Sequence, residues 1–129
     1  MHHGLFRVDS LRAVGGYSGA YRVGYDMLVV ALIKMWGSVG YVDSPLYHRV
    51  KTEDSLTRSP KTGLGSRFRQ DIERRLNTIY KAAYARWLAR QNGLMSASEF
   101  SAQLIELSSR ERTLQQSRAI EELSAAATS

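Results

Sequence analysis

The chain has 129 residues, 43% of them apolar, and a formal net charge of +6 from 18 Lys and Arg against 12 Asp and Glu. That length allows one modest core, and the absence of cysteine excludes a disulfide framework, a thiolate nucleophile and a Cys-ligated zinc. The longest apolar run, Met27 to Ile33, stops at Lys34, short of the roughly 20 residues of a spanning helix; with polar first residues and no apolar h-region, neither a transmembrane segment nor a signal peptide is expected, and the location expected is cytoplasmic, peripheral to a membrane at most.

Residues 1–64 are rich in glycine, tyrosine and β-branched residues, which predicts short elements. Leu5-Phe6-Arg7-Val8 reads as a strand. Asp9 is placed to cap a short helix that Gly15 stops at Val14, and Gly15, Gly16 and Gly19 make a turned loop. Asp26 then precedes Met27 to Trp36, apolar nearly all round and ended by Gly37, as in a helix buried between layers. Val39-Gly40-Tyr41-Val42 and Leu46-Tyr47-His48-Arg49-Val50 read as two strands about an Asp43-Ser44-Pro45 turn.

Residues 65–129 have a different texture, with no proline after Pro60 and long helical periodicity. Phe68, Ile72, Leu76, Ile79, Ala83 and Trp87 share one face of a helix from Ser66 to Gln91, which Asn92-Gly93 ends. Ser96 and Glu99 form a Ser-x-x-Glu capping box, with Leu94 or Met95 as the staple residue. The helix that follows carries Phe100, Leu104, Leu107, Leu114, Ile120 and Leu123, and a small-residue tail after Leu123 is expected to fray. A short Gly turn between two long helices predicts an antiparallel hairpin. Its apolar stripes need a partner surface, either the first region or a second copy, so self-association through the helical stripe is one expectation.

Much of the positive charge lies between Arg49 and Arg90, including Arg58, Lys61, Arg67, Arg74, Arg75 and Lys81. Such a helix is either a solvated cationic face or a module that attracts phosphate on a nucleotide, nucleic acid or anionic membrane. Tyr80, Tyr84 and Trp87 fall near its apolar stripe, where core packing accounts for them and argues against nucleic acid. Trp36, at the end of the apolar helix, reads as core. His2-His3 is not a metal site, and no Gly-x-Gly-x-x-Gly, P-loop or nucleophile elbow occurs.

Taken in order, Gly15-Gly16-Tyr17, then Tyr25-Asp26 opening an apolar helix, then Val39 to Arg49 through Asp43-Ser44-Pro45, and Ser55-Leu56-Thr57 resemble the acceptor-side, C-terminal half of family 2 glycosyltransferases with the GT-A fold. The resemblance covers Gly4 to Thr57. It implies an α/β fold: a partial GT-A-like region of short strands and a buried helix, followed by the C-terminal helical hairpin. It also implies a nucleotide sugar and a hydroxyl acceptor as substrates, with the nucleotide-binding half missing and the chain inactive alone.

By that resemblance Asp26 is the general base that deprotonates the acceptor hydroxyl; from the pattern alone it is an N-cap. Gly15, Gly16, Tyr17 and Tyr25 would line the acceptor, Tyr25 standing where many members have a second acid. Arg49, Lys51, Ser55 and Thr57 match the segment that closes over the donor diphosphate, where cations stabilise charge on the leaving nucleotide. Lys51 occupies the position of a histidine that ligates metal in many members, and His48 on a strand would point to the opposite face. This chain is therefore expected to supply no metal ligand, although a complete enzyme of the family would use Mn²⁺ or Mg²⁺. The alternative function is a basic helical binding or self-association module.

Overall fold

The structure, a computed structural model, describes residues 4–17, 21, 24–46, 48, 50, 52 and 58–128. Four helices form in chain order: α1 (Val8–Ala13), α2 (Tyr25–Trp36), α3 (Arg67–Gln91) and α4 (Ala97–Thr128). No strand occurs among the described residues. The α/β expectation, with its region of short strands, is therefore overturned in favour of an all-helical arrangement. Val8 belongs to α1, which removes the predicted first strand. Val39 to Val42, Leu46, His48 and Val50 are in no strand, and no backbone hydrogen bond joins Val39–Leu46 to another described segment. These residues carry β-forming side chains, but a ladder needs a second strand, and a lone two-stranded hairpin is marginal in water. Pro45 also removes one donor at the bend. Val39, Tyr41, Val42, Leu46 and Val50 are consequently exposed.

The helices form close to where the sequence places them, but Asp9, expected to cap α1, does not cap it. In α1 the N-cap is Arg7, and Asp9 sits in the first turn, paired with Arg7 at 2.8 Å. Gly15 and Gly16 close its C-terminus with φ of 87° and 70°, and the Gly16 amide donates to the Leu11 carbonyl at 2.8 Å. Only glycine enters that left-handed region without cost. Ser66 caps α3 by accepting from the Arg69 amide at 3.2 Å. The capping box before α4 is complete: the Ser96 amide donates to Glu99 Oε2 at 2.8 Å, and the Glu99 amide donates to Ser96 Oγ at 3.2 Å. Those bonds hold the Glu99 carboxyl below its usual range. Met95 is the staple residue, packed on the core, while Leu94 is exposed. The tail expected to fray after Leu123 is helical as far as Thr128.

The core is a single cluster centred on α2, which contributes Leu28, Val29, Val30, Leu32, Ile33 and Met35. A helix apolar on nearly every side can be satisfied only between neighbours; α2 packs on α1 and α3, and α4 packs on α1 and α3. Leu76, Ile79 and Ala83 of α3 and Phe100 and Leu104 of α4 complete the interior. Trp36 is half-buried rather than interior: its ring stacks on Phe100 at 6.3 Å, and the Arg90 guanidinium lies 5.0 Å from the Trp36 centroid and 5.4 Å from that of Phe100. Further from the hairpin turn, Tyr21 donates its hydroxyl to Glu111, which also accepts from Gln115 at 3.0 Å. Ser101 anchors the end of α1 by donating to the Ala13 carbonyl at 2.6 Å. The stripe of α3 fades at its start, where Phe68 is exposed, and that of α4 fades beyond Leu107, since Leu114, Ile120 and Leu123 are exposed.

Candidate functional site

Gly24 sets the geometry at the start of α2. It is the N-cap, with φ of 77°, so the chain enters the helix through a conformation L side chains resist. A Cβ added there would lie 2.6 Å from Leu76 Cδ1. The helix therefore begins at Tyr25, and Asp26, expected as the cap, lies inside the first turn. Asp26 is half-buried and makes no ion pair among the described residues.

The α1 C-terminal turn brings Tyr17 to this helix start. Its ring meets Tyr25 edge-on, with centroids 6.0 Å apart and planes at 77°. Both rings remain substantially open, 47% for Tyr17 and 40% for Tyr25. Of the residues nominated from separate stretches of sequence, the structure thus brings Tyr17 against Tyr25, with Asp26 next to Tyr25 in the first turn of α2, whereas Gly15 faces Ile105 and Ser108 of α4. Arg49, Lys51, Ser55 and Thr57 lie outside the described residues. His48 is exposed, and the strand alternation invoked for it does not exist.

No three His, Asp or Glu side chains among the described residues stand close enough to hold a metal ion. These residues therefore do not fit the divalent cation that the family resemblance implies, and no chemical step is derived through one. None of the four helices is long and apolar enough to cross a membrane.

A feature missed in the sequence lies beside this surface. An open groove runs between α2 and α3. Its wider part, about 370 Å³, is bounded by Met27, Ala31 and Lys34 on one side and Tyr80, Tyr84 and Trp87 on the other. It continues past Met27, Ala31 and Tyr80 into a second part of about 300 Å³ that reaches Gly24, with Glu73 and Asn77 at its edge. The three aromatics form a ladder: Tyr80 and Tyr84 are 6.3 Å apart with planes at 16°, and Tyr84 and Trp87 are 5.4 Å apart with planes at 24°. Core packing accounts for Trp87, which is half-buried against the core, but not for Tyr80 and Tyr84, which are 40% and 42% exposed. The signal was the helical angle. Tyr84 sits roughly 100° around α3 from the centre of the Leu76, Ile79 and Ala83 stripe, on its flank rather than on it.

No protein-family model, curated protein sequence or solved structure matches this chain.

Proposed function

We propose that this chain is the acceptor-side part of a nucleotide-sugar-dependent glycosyltransferase, with Asp26 as general base and the donor nucleotide held by other polypeptide. The observation that carries the reading is the edge-on contact of Tyr17 with Tyr25, the residue that precedes Asp26 in the first turn of α2. Two half-open tyrosine rings offer apolar faces and hydroxyls, which together suit the two-sided chemistry of a sugar. A carboxylate in the same turn, without an ion-pair partner among the described residues, is available to an acceptor hydroxyl. In the reaction the acceptor O–H proton passes to the Asp26 carboxylate as its oxygen bonds to the anomeric carbon. The bond from that carbon to the donor phosphate breaks, and the nucleoside diphosphate departs with the electron pair.

Two measurements test this. The chain alone, incubated with a panel of nucleotide sugars and Mn²⁺ or Mg²⁺, is expected to release no nucleotide beyond an Asp26→Asn control. Titration with simple methyl pyranosides is expected to shift the NMR resonances of Tyr17, Tyr25 and Asp26. Failure of every pyranoside to move those three would refute the acceptor site.

A further inference from the structure

We infer that the turn leading into α3, with the first helical turn after it, is a docking surface for an anionic membrane, which Leu64 enters while Arg58, Lys61 and Arg67 meet the headgroups. This inference is independent of the transferase reading. The turn is held in place by its own hydrogen bonds. The Ser59 carbonyl accepts from the Thr62 amide at 3.3 Å and the Gly63 amide at 2.6 Å, and the Gly63 carbonyl accepts from the Ser66 amide at 3.1 Å. Two α3 side chains tie it to the helix: Arg69 Nε donates to the Thr62 carbonyl at 2.9 Å, and Gln70 Nε2 donates to the Gly65 carbonyl at 3.2 Å. Within this frame Gly63 is buried, whereas Leu64 beside it is 74% exposed and Phe68, in the first turn of α3, is 41% exposed. A backbone so fixed keeps Leu64 directed into water until something covers it.

The charge of this surface and its apolar tip together select the occupant. Arg58, Lys61 and Arg67 are exposed, and none is in an ion pair among the described residues. Asp71, the acid nearest in sequence to the turn among the described residues, is paired with Arg74 at 3.4 Å, so it does not cancel them. A bilayer containing anionic lipid takes both parts at once: the cations settle among headgroup phosphates while the apolar side chain sinks to the acyl boundary. Nucleic acid would use the cations but offers no apolar layer to Leu64. A protein partner needs about 20–30 residues a side in a complementary shape, and this turn presents a handful. A fluid bilayer requires no matching shape, and so small an anchor binds it reversibly.

The test sediments the full chain with vesicles of phosphatidylcholine containing about 30% phosphatidylserine, beside vesicles of phosphatidylcholine alone. Binding to the anionic vesicles is expected to be at least about tenfold tighter than to the neutral ones, and to weaken as salt rises from about 0.05 M to about 0.5 M. Lys61→Gln with Arg67→Gln should weaken it about twentyfold, at about fivefold per cation. Arg112→Gln with Arg118→Gln removes the same charge from exposed positions on α4 and should weaken it less than about twofold. Leu64→Ser should weaken binding about fivefold, and Leu64→Met should retain it. Leu64 is exposed, so neither change should move the urea midpoint. Because the chain has no cysteine, Leu64→Cys carries a single environment-sensitive fluorophore, whose emission should shift to the blue on anionic vesicles. The proposal is overturned by failure to bind anionic vesicles, by equal binding to both compositions, or by equal losses from the two charge pairs. Indifference to Leu64→Ser, no blue shift at position 64, or preference for a thymidine oligonucleotide over vesicles of equal phosphate content overturns it as well.

Discussion

Replacing Gly24 with alanine tests how α2 is held against α3, and therefore how the candidate base is held. Two costs arise. An L residue at φ of 77° pays about 1–2 kcal/mol for the left-handed backbone. The new Cβ, 2.6 Å from Leu76 Cδ1, also forces that side chain off its rotamer for roughly 0.5–1.5 kcal/mol. Leu76 is buried, so it has little free space into which to move. The expected loss is about 2–3 kcal/mol, read as a lower urea midpoint at unchanged slope and a Tm lower by roughly 8–12 °C.

The two contributions separate in a double-mutant cycle. Leu76→Ala alone should cost about 2–5 kcal/mol as a buried large-to-small change. In the Gly24→Ala background it should cost about 1 kcal/mol less, because the atom that clashes has gone. A Gly24→Ala variant within about 0.5 kcal/mol of the parent would show that the helix start is looser than its φ and packing require. Strict additivity would show that Leu76 does not feel the new methyl. In either case the argument that Gly24 fixes the Tyr25-Asp26 turn fails.

Two further predictions concern the lower half of the hairpin. Burial, and after it the hydrogen bond to Glu111, raises the Tyr21 phenol above its ordinary pKa of 10.0; the unfolded chain then loses that proton first, so the stability from neutral Tyr21 is complete below pH 10 and declines as pH rises beyond it. Urea titrations across that range should show a steeper decline for the parent than for Tyr21→Phe, and parallel curves would refute the pairing. The α4 residues 116–128 are all exposed, so ending the chain after Gln116 should change the urea midpoint by less than the equivalent of about 0.5 kcal/mol. A larger loss, concentration-dependent in the parent only, would mean that Ile120 and Leu123 are covered by a second copy.

Local signals held at some helix ends and failed at others: Asp9 and Asp26, read as caps, lie inside the first turns of α1 and α2, whose caps are Arg7 and Gly24. The Ser96–Glu99 box and the glycine stop after α1 each exchange hydrogen bonds within a few residues, and each is found as its sequence pattern indicates. The burial of α2 was legible for a related reason, because an apolar helix with no polar face has no solvated arrangement. The strands were not legible. Val39 to Val42 and Leu46 have the side chains of a sheet, but a strand is a relation between two segments, and no second described segment bonds to them. β-propensity measures fitness for a pleated surface that something else must provide.

The same distinction governs the candidate site. Asp26, Tyr17 and Tyr25 are nominated by the family resemblance of the motifs they stand in, yet only tertiary packing shows that the α1 loop lies on the α2 start. The ladder was hidden for the opposite reason. Tyr80, Tyr84 and Trp87 repeat at the spacing of a core stripe, and periodicity says which residues share a face without saying where the neighbouring helix ends. Burial of α2 against the Leu76–Ala83 line places its edge just short of Tyr80. Had α2 carried larger side chains at Met27 and Ala31, those rings would be covered and there would be no groove. The small Ala31 and unbranched Met27 leave Tyr80 and Tyr84 open along the groove. Ala31→Leu should therefore fill the groove without disturbing the Asp26 turn, seen as shifted Tyr80 and Tyr84 resonances beside unmoved Tyr17 and Tyr25; shifts at Tyr17 and Tyr25 would show that α2 moves to make room.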